Sequence, residues 1–139
     1  MLGSDGMRYL LDTNTCIRYL TQRKTSVERR ITVLGLSNIA ICDVVKQELF
    51  YGAYKSQRQI KNLELLREFF SAVISLPFDG EAAEIAGRVR AELSKAGKPI
   101  GPYDLQIAAI ALANGLILVT HNTREFQRIQ GLQLEDWEG

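Results

Sequence analysis

Short apolar runs separated by longer amphipathic stretches recur along the chain, the pattern of strands joined by helices. Residues 9–11 predict a buried strand, and residues 16–20 a helix capped by residues 12–14. A second helix is predicted over 27–34 and a second strand over 38–42, "NIAIC". Helices over 44–53 and 57–70 follow, the latter with Ile60, Leu63, Leu66 and Phe70 at helical spacing. "AVISLPFD" predicts a third strand ended by Pro77, and residues 81–96 a helix closed by Gly97. Pro102 opens the helix "PYDLQIAAIALANG", closed by Gly115. "LILVT", residues 116–120, is the most strand-like run. Residues 122–128 begin a short helix with a capping-box spacing, Asn122 with Glu125, and "GLQLEDW" offers a last edge strand. Such alternation predicts an α/β sandwich around a mainly parallel sheet, with any site beyond the carboxyl ends of the strands.

Composition narrows this modestly. A length of 139 residues suits one domain able to build a core without disulfide or metal. Hydrophobic residues at 46% and charged residues at 24% are the balance of a globular protein. The net charge of +1 excludes a highly basic nucleic-acid coat but leaves room for a local basic patch. Cys16 and Cys42 show no metal-type spacing and sit in apolar contexts, so buried free thiols and a reducing cytoplasmic setting are expected. No apolar run is long enough to cross a membrane, so no membrane partner is expected. "MLGSDGM" lacks the features of a signal peptide; residues 1–7 read as a leader and 8–137 as the single domain.

The candidate chemistry lies in acceptors at strand ends and helix starts. Asp12 ends the first strand, where it serves either as an N-cap or as part of a site. Glu48 falls within the arc of its helix occupied by Val44, Val45, Leu49, Tyr51 and Gly52. A carboxylate there needs an ionic partner or a metal. Asp104 lies in the first turn of a helix apolar almost all round, where the helix dipole alone also explains an acid. Asn122 follows the last strong strand and suits a cap or a polar contact at the same sheet edge. Thr13, Asn14 and Thr120 are neutral hydrogen-bonding neighbours that support the acids or face substrate. His121, the single histidine, is too little for a zinc site and reads as incidental or substrate-facing. Three carboxylates in one partly dry cleft repel one another. A divalent cation relieves that repulsion, and an all-oxygen set suits Mg²⁺ or Mn²⁺. Metal-assisted phosphodiester hydrolysis is the chemistry this suggests.

"YLLDTNTCI", "ELFYGAYKS", "RAELSKAGKPIGPYDLQIAAIA", "LVTHNTREFQRIQGL" and "LEDW" resemble PIN-domain ribonucleases, specifically the VapC-type toxins of prokaryotic toxin–antitoxin pairs. The resemblance runs from about Arg8 to Trp137, with the motifs in the family's order. It implies a three-layer α/β/α sandwich on a mainly parallel sheet of four to five strands. It also implies a Mg²⁺-dependent endoribonuclease, with Mn²⁺ as a possible substitute, that cuts RNA, often a tRNA loop, using metal-activated water. Asp12 and Asp104 would hold the metal, with Glu48 contributing directly or through water. Asn122 stands where many PIN domains have a fourth carboxylate; this puts a firmly held second metal in doubt and suits orientation of water or substrate. A homodimer silenced by a cognate VapB-type antitoxin, whose C-terminal segment fills the active-site groove, is implied as well.

Two basic groups, Arg23, Lys24, Arg29 and Arg30 in one region and Lys55, Arg58 and Lys61 in another, suit either phosphate contact or a solvated face. Tyr51 and Tyr54 suit stacking or dimer contact. A haloacid-dehalogenase-like phosphatase would want a second Asp two residues after Asp12, where this chain has Asn14. A PIN nuclease for DNA or general RNA processing would share the metal chemistry. A catalytically silent PIN binding module remains the alternative from another class; the retained carboxylates argue against it and Asn122 for it.

Overall fold

The computed structural model describes residues 6–138. Of the expected leader, residues 1–5 lie outside the described residues, while Met7 packs against the core. Five strands form one all-parallel sheet: β1 (Tyr9–Leu11), β2 (Ile39–Cys42), β3 (Ile74–Leu76), β4 (Ile117–Val119) and β5 (Leu134–Glu135). Their spatial order is β3-β2-β1-β4-β5. Seven α-helices connect them among the described residues: α1 (Thr13–Thr21), α2 (Ser26–Leu34), α3 (Asp43–Lys55), α4 (Gln59–Ala72), α5 (Gly80–Lys95), α6 (Pro102–Ala113) and α7 (Thr123–Phe126). The expected α/β sandwich is therefore present. None of these helices is long and apolar enough to cross a membrane.

The central strands are buried along their whole length, which is why β1 and β2 read as unbroken apolar runs rather than alternating ones. Helix α6 is apolar for the same reason: residues Leu105 and Ile107 to Ala111 are all buried. Edge strands are shorter than the sequence suggests. The third strand covers only Ile74–Leu76, and Ile74 lies open to solvent. The last contributes two residues, registered Leu118 to Leu134 and Val119 to Glu135. Cys16 and Cys42 are buried free thiols, as expected. Burial raises both thiols, Cys42 to about 11.

Strand order fixes where a site can form. The first β-strand lies centrally, with β2 on one side and β4 on the other, so the order in which strands are added reverses at the β1–β4 boundary. The crevice outside the carboxyl ends at such a reversal is the usual binding place of an open parallel sheet. Asp12 follows β1 there, and Thr120 and Asn122 follow β4.

Candidate active site

Asp12 is buried at the N-terminus of α1, where one carboxylate oxygen, Oδ1, accepts the Thr15 N–H at 2.9 Å. Its own N–H donates to the Val119 carbonyl at 3.1 Å, and the Thr15 hydroxyl donates to the same carbonyl at 3.3 Å. Cap and site are thus compatible: the cap occupies Oδ1, fixes the side chain against β4 and leaves Oδ2 available to a ligand. Thr13 turns its hydroxyl to Glu48 on α3, donating to Oε1 at 2.5 Å. Glu48 is half-buried, less than the helical wheel suggests, because it borders an open cavity between α1, α3 and α4. Thr13 supplies a neutral donor, and no Arg or Lys pairs with this acid among the described residues.

Asp104, in the first turn of α6, is half-buried. Burial is the main cause that raises its carboxyl from 3.8 to about 6, followed by the negative charges of Glu125, Asp12 and Glu48. That order identifies a carboxylate the sequence reading missed. Glu125 lies on α7, whose expected capping box does not form. Asn122 has φ −88° and ψ 53° and makes no side-chain cap bond; its N–H donates instead to the Thr120 hydroxyl at 2.9 Å. The helix is also shorter than residues 122–128, spanning Thr123–Phe126. Released from capping, Glu125 adds the largest single charge effect on Asp104. Its place in the short helix that follows β4 was the available signal, hidden because N-x-x-E also spells a capping box.

The ion pairs among the described residues are Arg18–Glu138, Arg30–Glu135, Arg88–Glu92 and His121–Asp136. None of them neutralises Asp12, Glu48, Asp104 or Glu125. Four acids sharing one field without a cationic side chain fit a divalent cation, and their hard oxygen atoms fit Mg²⁺ or Mn²⁺. Among the described residues no three Asp, Glu, His or Cys side chains draw close enough to form a ready-made metal cage. This openness suits an ion held by one or two carboxylates that keeps several waters. Asn122 is exposed and lines a groove with Asp12, Asn14 and His121. Thr120 is fully buried and holds the Asn122 backbone, a supporting role. Of the basic groups, Arg30 is engaged with Glu135 and stacks over Trp137, and Lys55 lies over Tyr51. Arg23, Lys24, Arg29, Arg58 and Lys61 are exposed.

A parallel sheet with an acidic crevice at its central strand defines a hydrolase domain of the metal-dependent nuclease kind, and residues 9–132 match the family model described as PIN domain. The chain is 44% identical over 131 residues to a tRNA(fMet)-specific endonuclease VapC of Shigella flexneri, covering 94% of this chain and 98% of the relative. The DNA-bound VapBC crystal structure from Salmonella typhimurium superposes with a TM-score of 0.89 at 40% identity, covering 94% of this chain and 98% of that one. VapBC2 from Rickettsia felis, bound to a promoter DNA fragment, gives a TM-score of 0.88 at 37% identity, covering 94% and 99%. The chain belongs to the VapC family of PIN-domain ribonucleases, a generally metal-dependent group.

Proposed function

We propose that the chain is the toxin of a toxin–antitoxin pair and cuts tRNA, with tRNA(fMet) as substrate, by hydrolysis of a phosphodiester bond in the crevice between β1 and β4. The observation that carries this reading is the charge of Glu125, Asp12 and Glu48 acting on the half-buried Asp104, with none of the four in an ion pair among the described residues. Asp12 and Asp104 would hold Mg²⁺, or Mn²⁺ in its place, with Glu48 contributing directly or through water and Glu125 adding to the field. The ion, when bound, makes water nucleophilic near neutral pH and offsets charge gathering on the phosphate. Asp12 is oriented by Thr15 and Glu48 by Thr13, so neither has to reorganise as substrate arrives. The Asn122 amide, its backbone anchored by Thr120, orients water or a phosphate oxygen, and Asn14 faces the same groove. No protein nucleophile takes part.

The relative's printed specificity for tRNA(fMet) supports the substrate, and the VapBC structures support a VapB-type antitoxin as partner. An apolar cavity of about 250 Å³ between α1, α3 and α4, lined by Ile17, Leu20, Leu49, Leu65 and Leu66, reaches Glu48. It suits an amphipathic antitoxin segment that runs up to the acids. Exposed Tyr51, Tyr54 and Ile60 on the α3–α4 pair support further protein contact, consistent with a homodimer. Buried free thiols fit a cytoplasmic location, and residues 8–137 act as the single domain.

The test is cleavage of a total tRNA pool by the purified chain with Mg²⁺ and with EDTA, beside Asp12→Asn. Asn caps as well as Asp, so the variant should fold. Cleavage should need the metal and fall in the variant by about 100-fold or more, the scale of losing one preorganised electrostatic contact. Equal cleavage by Asp12→Asn would remove Asp12 from the site.

A further inference from the structure

Beside Asp12 runs a groove of about 410 Å³ whose walls include Asn14, Ile17, Arg18, Gln22, His121 and Glu138. Asn14, Arg18 and Gln22 are spaced four residues apart, so they form one stripe on the groove side of α1, stepping away from Asp12 by about 6 Å at a time. Arg18 is the cation of that stripe. Its Nε is buried and has no hydrogen-bond partner among the described residues. Its Nη1 meets the Glu138 carboxylate at 3.6 Å, too long for a hydrogen bond, with the Arg18 side chain 41% exposed and that of Glu138 only 14%. A buried donor left unsatisfied in a native site calls for an acceptor. The guanidinium fork matches a phosphate, which can take two of its N–H groups at once.

The carboxylate now facing Arg18 is brought there by a pinned segment. Trp137 is buried edge-on against Tyr9, with ring centroids 5.2 Å apart. Its carbonyl accepts the Ser26 hydroxyl at 2.6 Å, and its indole N–H donates to Glu135 at 2.9 Å. On either side of this anchor, Asp136 reaches His121 at 3.0 Å and Glu138 reaches Arg18. Glu138 therefore occupies a position on the groove that an anionic ligand oxygen would take, while Asp136 holds the His121 ring beside it. The Arg18–Glu138 contact is long and partly solvated, and salt screens such pairs, so an incoming phosphate can displace it.

Resting on the reading of this crevice as an RNA-cleaving site, we infer that Arg18 is a subsite for a backbone phosphate next to the scissile one, covered in the free protein by the Glu138 carboxylate. Arg18 binds and positions the strand, and Glu138 competes with it.

The test measures affinity of the full chain for tRNA(fMet) in EDTA, where cleavage is silent, by fluorescence anisotropy across a range of salt. Arg18→Gln should weaken binding several-fold and lower the salt slope by about 0.7 to 1, the share of one phosphate contact. Arg18→Lys, which keeps the charge, should retain the slope while losing part of the affinity. Glu138→Gln should tighten binding several-fold, and Arg18→Gln with Glu138→Gln together should bind as Arg18→Gln alone. Glu92→Gln, which removes an equal charge from an exposed pair on α5, should change nothing. With Mg²⁺ present, the Arg18 variants should alter KM and leave kcat unchanged. Wild-type affinity and slope in Arg18→Gln would overturn the subsite. So would a Glu138→Gln effect no larger than that of Glu92→Gln, or one that persists without Arg18. Should the wild-type chain cleave no tRNA with Mg²⁺, the nuclease reading falls and the subsite with it; if it cleaves while the Arg18 variants match it throughout, only the subsite falls.

Discussion

Replacing Asp104 with Asn separates stability from activity, because one change should strengthen the fold and abolish cleavage. Burial first, then Glu125, Asp12 and Glu48, lift this carboxyl from 3.8 to about 6. Between those values the folded protein keeps a proton that the unfolded chain has already released. Stability therefore falls as pH rises, and the contribution present below 3.8 is lost once pH passes about 6. A displacement of about two pH units corresponds to roughly 3 kcal/mol. Asp104 is only half-buried, and solvent screening reduces that to about 1 kcal/mol. In a domain of this size, about 1 kcal/mol moves Tm by roughly 3–5 °C. Asn keeps the shape and removes the charge. In EDTA at about pH 7.5 the variant should therefore melt higher by that amount, and near pH 4 the two proteins should melt together. Added Mg²⁺ should raise Tm in the wild type and leave the variant unmoved, since an ion that binds only the folded state stabilises it. Scanning calorimetry at both pH values, with and without Mg²⁺, reads all of this. A lower Tm for Asp104→Asn at neutral pH in EDTA would refute the electrostatic reasoning.

Glu125→Gln should lower the Asp104 carboxyl, moving the acid limb of the cleavage profile to lower pH, and weaken the Mg²⁺ requirement curve by about tenfold; a pH profile and a metal titration on the same protein check it, and an unmoved acid limb would return Glu125 to a structural role. Trp137→Ala should cost about 3 kcal/mol or more in urea unfolding, since a buried ring and its edge contact with Tyr9 are lost; a loss below about 1 kcal/mol would show that the segment is not pinned as described.

Much of this was legible in the sequence, for physical reasons that differ by residue. The strands announced themselves because both faces are covered, so residues 9–11 and 39–42 had no polar side to confuse the pattern. Asp12 and Asp104 stood out because each abuts an apolar run at an element start. Glu48 was found by its place on a helical wheel, but a wheel gives direction and not cover, and its half-burial depends on where α1 lies. The sheet order was not legible, because the periodicity of each strand is the same whichever neighbour it pairs with. Glu125 was hidden by ambiguity: one spacing served both a capping box and an acid at the sheet edge, and only the Asn122 backbone decided between them. Arg18 and Glu138 lie far apart in sequence, and no local pattern could have paired them.

The pairing of the groove's basic side chains bears on how the acidic crevice keeps its field. Arg18 and His121 both line the groove beside Asp12, and the Arg18 guanidinium turned toward the acids would cancel part of their charge. Instead each meets a carboxylate from the segment that Trp137 anchors, Arg18 with Glu138 and His121 with Asp136. The segment thus holds the Arg18 charge and the His121 ring at the rim, away from Asp12, Glu48, Asp104 and Glu125. The Asp104 carboxyl is raised by burial first and by the charges of Glu125, Asp12 and Glu48 after it, and a divalent cation is the ligand that would relieve both most directly. A cation bound there would stabilise the folded chain, so the burial and charge that weaken the fold at neutral pH are what a metal titration of Tm would read.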